Sequence, residues 1–448
     1  MPREIKVVNK TVNFSNEIGK IKPMHAVNNG PKQGITLSWD ISPYYREMNI
    51  PYSRLHDTEA PYGSNQFVDI HCIFSDFDAD ENDEKSYYFS STDKCIKAII
   101  DAGGKPFYRL GESIDHTDRP LYIHPPKDFE KWARICEHII RHYNEGWANG
   151  FHYGIEYWEI WNEPEGAQMW TGTKEEYFEL YRVTSTHLKK CFGNSIKIGG
   201  YASCSLEMLI REDDYWWPNH LMQYANDFID FVKETNSPLD FFSYHRYTSD
   251  FRQYYYYNNA IRKWLDEKGY KDTELILNEW NPVSTYGVYG KKDERAGVIM
   301  AACLLACQKS DVDMMMLYDL RRATYYNPLI TIDKIPLSSY WSFVNFGKLY
   351  KLGKEVDSGE FDIESTLYVC AAKNENEGGI FVVKVDDEDF NVKIKIENAN
   401  YKKMRIYVMN QRDWAEKMTL IEERDFENEI TLNFAARQRY SMAYIELI

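Results

Sequence analysis

A (β/α)8 barrel followed by an antiparallel β-sandwich is the fold class that the sequence predicts, and three observations predict it. Between about residue 22 and residue 350, eight short apolar runs alternate with longer helical patterns. The first run is followed by NGPKQG, which lacks the spacing of a phosphate-cradling glycine loop, so an open nucleotide-binding sheet is disfavoured. From about residue 352 onward the pattern changes to period-two alternation broken by Asn, Asp and Gly turns.

The eight runs are 24–28, 52–57, 106–110, 157–162, 196–201, 241–245, 275–278 and 314–318. Alternation of such runs with helices argues for parallel strands, and eight units in about 330 residues suit a closed barrel. The helical patterns are 92–102, 129–143, a segment opening at Thr173, 220–233, 258–268, 294–308 and 338–349. Thr173 and Glu176 have capping-box spacing ahead of YFELYRVTSTHLKKC. Gly103, Gly104 and Gly269 stand where helices should stop. Residues 21–350 therefore form the expected barrel and 351–448 the expected sandwich. Residues 1–20 contain EIKVVNKTVNF, strand-like and too early for the barrel, and are expected to join the sandwich.

Bulk composition narrows the partners. The chain has 448 residues, 44% hydrophobic and 27% charged, as a globular protein should. Its net charge of −16 disfavours nucleic acid and anionic lipid, and leaves neutral ligands open. The 35 Tyr, 22 Phe and 12 Trp suit a cleft that stacks on flat ligand faces, as well as a core. No run of about 20 apolar residues predicts a membrane span, and MPREIKVVNK lacks a secretory apolar region. The eight cysteines are scattered without a CxxC pair, and Cys303 and Cys307 read as one core helix face rather than a metal site. Reduced thiols and a cytoplasmic location are expected.

Two glutamates carry the chemistry. IEYWEIWNEPEG ends the fourth run in Asn162 and Glu163, and ELILNEWNP ends the seventh in Asn278 and Glu279. Active residues of such barrels sit at the C-terminal strand ends, so both carboxylates belong to one rim. Glycosidic-bond cleavage needs that pair: one acid to protonate the leaving oxygen, one carboxylate to attack the sugar or activate water. Their surroundings must hold one protonated and one ionised.

EIWNEPE and LILNEWNP resemble the two glutamate motifs of clan A glycoside hydrolases, and VDIHCIFSDFDADENDEKSYYFSSTDKCIKAIIDAGGKPFYRLGESI resembles family 39, which holds β-xylosidases and α-L-iduronidase. The resemblance covers most of the chain. It implies a retaining enzyme with Glu163 as acid/base, Glu279 as nucleophile and Asn162 bonding the sugar 2-hydroxyl. It further implies that Tyr247 and His245 stand beside the nucleophile and that His56 binds sugar; a Tyr or His satisfied by backbone is the plainer reading. His25 and Asn28 on the first run are further binding candidates. Trp161, Trp170 and Trp280 flank the glutamates and either stack on sugar or pack the wall. Tyr318, Asp319, Arg321 and Arg322 follow the eighth run. Paired arginines suit a sugar carboxylate, but a salt-bridged loop is the preferred reading.

FSDFDADENDE looks like a calcium loop but lacks glycine at its sixth position and glutamate at its twelfth, where Tyr87 stands. No metal and no cofactor are expected. The expected function is release of a terminal sugar, β-D-xylose first, from a small oligosaccharide or glycoside. Other sugars (arabinose, galactose, glucose, a uronic acid) and a non-catalytic sugar-binding barrel are the alternatives. Aromatic surface on the sandwich would allow a homo-oligomer.

Overall fold

The computed structural model describes residues 5–32, 40–58, 67–211, 216–283, 294–321, 326–385, 390–410, 417–434 and 441–448. Among them, eight parallel strands close a barrel. A first strand, β1 (Lys6–Lys20), precedes it; the barrel strands are β2 (Ala26–Asn28), β3 (Tyr52–Leu55), β4 (Lys105–Leu110), β5 (Tyr157–Ile160), β6 (Lys197–Ser203), β7 (Phe241–Arg246), β8 (Glu274–Trp280) and β9 (Met314–Leu317). All eight expected runs are strands. β3 and β5 stop short of their polar tails, because His56, Asp57, Asn162 and Glu163 have left the ladder and stand at the rim.

Side chains two apart on a strand share a face, so the barrel interior is layered. Ala26, Phe107, Tyr157, Phe241, Ile276, Met314 and Met316 form an apolar plug at the N-terminal end. Two residues further along five of these strands the inner positions become Asn28, Arg109, Glu159, Ser243 and Asn278, all buried. Polar groups in a closed interior must bond one another, and this layer carries the rim above it. The alternate residues, among them Tyr108, Trp158, Ile198, Phe242, Leu275 and Leu317, face the surrounding helices in the main core.

The helices follow the expected pattern with longer ends. Lys174–Phe192 opens on the capping box, Thr173 accepting from Glu176 N–H and Glu176 returning the bond. Arg252–Lys268 ends at Gly269, whose φ of 100° only glycine adopts readily. No helix among the described residues is long and apolar enough to cross a membrane. All eight cysteines are free thiols, and Cys303 and Cys307 are buried in Glu294–Gln308.

The remaining strands are β10 (Lys354–Asp357), β11 (Leu367–Lys373), β12 (Gly378–Lys384), β13 (Phe390–Glu397), β14 (Lys403–Asn410), β15 (Lys417–Asp425), β16 (Glu429–Asn433) and β17 (Ser441–Leu447). With β1 they make a nine-stranded sheet, ordered β15-β14-β17-β12-β11-β10-β1-β13-β16 among the described residues. β1 runs antiparallel to β10 and parallel to β13, the one parallel pair of this sheet among the described residues. One face encloses an apolar core including Val12, Ile380, Ile394, Ile406 and Ile445. The other face, with Cys370, Phe381, Met442 and Tyr444, packs on the barrel's core.

Helix Ser338–Leu352 joins barrel to sheet and approaches the turn at Met48 closely. A Cβ on Gly347 would lie 2.0 Å from the Met48 carbonyl oxygen. Gly347→Ala is therefore expected to destabilise the fold by about 1–3 kcal/mol, the range for overpacked cores. Chemical denaturation checks this; an unchanged midpoint would contradict it.

Candidate active site

The turn after β5 is shaped to bring one carboxylate over the barrel mouth. Trp161 and Glu163 adopt left-handed φ values of 70° and 44°, a strained conformation for non-glycine residues. The Glu163 N–H donates to Ala202 O across 3.1 Å, and Gly166 N–H donates to Glu163 O. Trp161 is buried and its indole N–H donates to Met169 O at 2.7 Å. Pro164 blocks further laddering. Glu279 needs no such turn, because β8 itself carries it to the rim.

The two carboxylates meet at His245. Its Nδ1 lies 2.5 Å from Glu163 Oε1, and its Nε2 lies 3.6 Å from Glu279 Oε1. One oxygen of each glutamate and one nitrogen of His245 all fall within 4.8 Å of one another. Tyr247 donates its hydroxyl to Glu279 Oε2 at 2.9 Å. His56 Nε2 lies 3.6 Å from Glu279 Oε1, while its Nδ1 is buried with no partner.

Burial raises the proton affinity of both carboxyls. It pushes the Glu163 carboxyl up to about 7. It also raises Glu279, although the neighbouring His245 and Arg54 oppose it. His245 falls to about 4 and His56 drops well below the usual histidine range, both chiefly through burial. Both imidazoles are thus neutral near pH 7. Glu165, two residues past Glu163, rises to about 8 through burial; its Oε1 accepts from Ser203 Oγ at 3.1 Å and Cys204 N–H at 2.9 Å.

Beneath the glutamates lies a residue that sequence reasoning missed. Arg54 donates to Glu159 Oε2 at 2.7 Å, Glu279 Oε1 at 2.8 Å, Asn162 Oδ1 at 2.5 Å and Asn28 Oδ1 at 3.2 Å. Glu159 in turn accepts from Ser243 Oγ at 2.6 Å and Asn278 Nδ2 at 2.5 Å. The guanidinium is wholly buried, where an unpaired charge would be untenable. The signal was present: a charged residue inside a strand of a closed parallel barrel has no solvent to face. Arg54, Arg109 and Glu159 all carry it. Arg109 donates to Asp69 Oδ1 at 2.7 Å.

The structure brings Glu163, Glu279, Asn162, His56, His245 and Tyr247 together, with Asn28 one layer below. Asn28 holds Arg54 and donates to Asn278 O at 2.7 Å, so it serves the frame rather than a ligand. His25 is not in this cluster, a correction to the sequence reading. It precedes β2 at the far end of the barrel, bonds Asn49 O at 3.0 Å and packs against Phe343, Phe346 and Tyr350; burial lowers its pKa to about 3. Trp170 is likewise corrected to packing: 3% exposed, edge-on to Trp161 and Tyr177, its N–H on Thr173 O. Trp280 is fully buried against Tyr254, its indole N–H unpartnered. Tyr318 donates to Asp57 Oδ2 at 3.2 Å beside Tyr247. Arg321 forks onto Asp319 at 2.7 and 2.9 Å, the salt-bridged arrangement. Arg322 lies outside the described residues.

Three trios bring possible metal-ligating atoms within 4.8 Å among the described residues: Glu137, His187 and Cys191; Asp69, His71 and Glu112; and Glu163, His245 and Glu279. In the last, the Arg54 guanidinium already supplies positive charge to Glu279.

Comparison with known proteins places this geometry in context. A β-xylosidase of Caldicellulosiruptor saccharolyticus is 26% identical over 261 residues, 55% of this chain and 47% of the relative. A β-xylosidase of Geobacillus stearothermophilus is 28% identical over 191 residues, 40% of this chain and 34% of the relative. These matches span less than half of either relative's length. A glucosidase structure from Croceicoccus marinus superposes with a TM-score of 0.81 at 18% identity, covering 99% of both chains. A monomeric β-xylosidase from Caulobacter crescentus CB15 gives 0.72 at 15% identity, again over 99% of both; these two likenesses are of fold. The family model for glycosyl hydrolases family 39 matches residues 41–304, which contain both glutamates and every strand from β3 to β8. The chain belongs to glycosyl hydrolases family 39.

Proposed function

We propose that this protein is a retaining glycosidase that releases a terminal sugar, β-D-xylose first among candidates, with Glu279 as nucleophile and Glu163 as acid/base. The observation that carries the reading is the separation of the two carboxylates, an oxygen of each within 4.8 Å. Retaining enzymes hold their carboxyl groups about 5–5.5 Å apart, while inverting ones leave about 6.5–9.5 Å for a water. The curated relatives named β-xylosidase support xylose as the sugar.

In the first step Glu279 attacks the anomeric carbon and Glu163 gives its proton to the departing oxygen, leaving a glycosyl ester on Glu279. In the second, Glu163 takes a proton from water, the hydroxyl oxygen bonds to the same carbon and the Glu279 ester breaks. Two inversions retain configuration. The surroundings serve each role. A carboxyl raised to about 7 is still largely protonated at mildly acidic pH. When Glu163 is protonated it donates to His245 Nδ1, which puts the imidazole proton on Nε2, facing Glu279. Arg54 and Tyr247 bond the two oxygens of Glu279 and orient it, and the guanidinium opposes the rise in proton affinity that burial causes. Asn162, held by Arg54 through its Oδ1, presents its amide for the sugar 2-hydroxyl.

The test is a panel of nitrophenyl glycosides (β-D-xyloside, α-L-arabinofuranoside, β-D-glucoside, β-D-galactoside) with NMR of the first-formed anomer. Xyloside turnover with retained configuration is expected. Preference for another sugar would replace the substrate, an inverted product would overturn the mechanism, and no turnover would leave a sugar-binding barrel. Glu163→Ala sharpens the assignment. It should lower kcat/KM on xylobiose by about 10²–10⁴, the usual worth of a general acid, yet cost far less on a dinitrophenyl xyloside, whose leaving group needs no proton. In the unaltered protein, activity on xylobiose should fall as pH rises through about 7, and that limb should vanish in the variant.

A further inference from the structure

A second cavity, of mixed polar and apolar lining, lies on the other side of the barrel from the glutamates, and nothing in the reaction uses it. It measures about 470 Å³ and sits between helix Ser338–Leu352 and strands β12, β14, β15 and β17. Asn49, at its edge, precedes β3, so the cavity opens near the N-terminal strand ends. Cavities that hold small molecules run about 300–1,000 Å³.

Its lining is built rather than incidental. Asn345 is 1% exposed, and its Nδ2 has no hydrogen-bond partner. That nitrogen has almost no accessible surface, so it reaches a ligand once the side chain turns toward the cavity, and a buried amide donor without an acceptor favours that turn. Lys348 is fixed beside it, its ammonium 4.8 Å from the Tyr407 ring centre, 4.9 Å from that of Tyr444 and 3.9 Å from Glu446 Oε1. Trp341 and Met418 add apolar wall.

The charges select the ligand class. Glu47, Glu377 and Glu446 line the cavity with Lys348 and Lys351, a nearly balanced set of acceptors and donors. A phosphate or dicarboxylate would meet three carboxylates, and a free cation would meet two ammoniums. A neutral molecule rich in hydroxyls both gives and accepts bonds, and its C–H faces suit aromatic and thioether walls. We infer that this junction cavity is a second binding site for a short neutral saccharide, distinct from the catalytic rim and anchored on Asn345, Lys348 and Trp341.

Xylobiose and cellobiose titrated into Glu279→Ala protein, followed by calorimetry and ligand-observed NMR, test it. The expected result is that Asn345→Leu and Trp341→Ala, each added to that background, remove one saccharide per chain or weaken it at least about tenfold, a change of 1.4 kcal/mol. In the otherwise unaltered protein the same two substitutions should leave kcat on a nitrophenyl xyloside within twofold. Trp341, half-buried on the wall, guards against misfolding of the Asn345 variant. Saccharide binding that survives both substitutions would overturn the inference, as would absence of any saccharide they affect, or displacement of the bound sugar by inorganic phosphate. A chain without turnover could still bind here, so failure of the catalytic reading and failure of this one give different results.

Discussion

Glu279→Ala is expected to lower kcat on a nitrophenyl xyloside by about 10⁴-fold or more, as removal of an enzyme's nucleophile does, while the fold persists. The cavity left by the carboxylate has a use. Azide admitted there can attack the anomeric carbon directly, so turnover should return with added azide, giving a glycosyl azide of opposite configuration. The surroundings favour this rescue: Arg54 and the Tyr247 hydroxyl, both bonded to Glu279, remain to attract an anion. Kinetics with and without azide, and NMR of the adduct, check the result. Turnover near the original level would remove Glu279 from the mechanism. A glycosyl azide of opposite configuration from Glu163→Ala, with none from Glu279→Ala, would exchange the two roles.

The second large effect belongs to Arg54, wholly buried beneath the two glutamates. Arg54→Met preserves bulk but leaves Glu159 and Glu279 buried without their cation. Breaking one side of a buried ion pair costs about 3–5 kcal/mol, and here the one guanidinium also holds Asn28 and Asn162. Both stability and kcat should therefore collapse together, whereas Glu279→Ala should damage kcat alone. The deficit should depend on pH. Glu279 is already raised by burial, and losing Arg54 removes an attraction that lowers it. Its protonated form is the one that folds comfortably, so the variant's stability should fall as pH rises above the ordinary glutamate range and recover as pH is lowered. Denaturation midpoints at several pH values, beside those of the unaltered protein, measure this. A variant as stable as its parent at pH 7 would show that the layer does not depend on the cation.

How much of this was legible in the residues alone differs by level. The eight runs were readable because strands buried on both sides must be apolar, and the rim was readable because Glu163 and Glu279 break that rule at the ends of their runs. Arg54 and Glu159 break it in the middle, and each makes sense only with the other, 105 positions away in sequence. A pattern read along the chain has no means of joining them. His25 failed for a related reason. It stands one residue before β2, at the wrong end of a strand only three residues long, where a boundary error of two residues moves a side chain from one end of the barrel to the other. Trp170 lies in the same loop as Glu163, but proximity in sequence did not turn its ring toward the pocket; its N–H donates to Thr173 O.

The insertion of β1 between β10 and β13 sets the order in which the molecule can be finished. Lys6 pairs with Phe390 and Asn13 with Glu397, so β1 waits for its parallel partner until the barrel and most of the sheet have been translated. At about 5–20 residues per second that delay is on the order of tens of seconds, long enough for the barrel to assemble in between. The apolar side chains of Val12 and Phe14 must spend that interval without their neighbours, so their burial is among the later steps of folding.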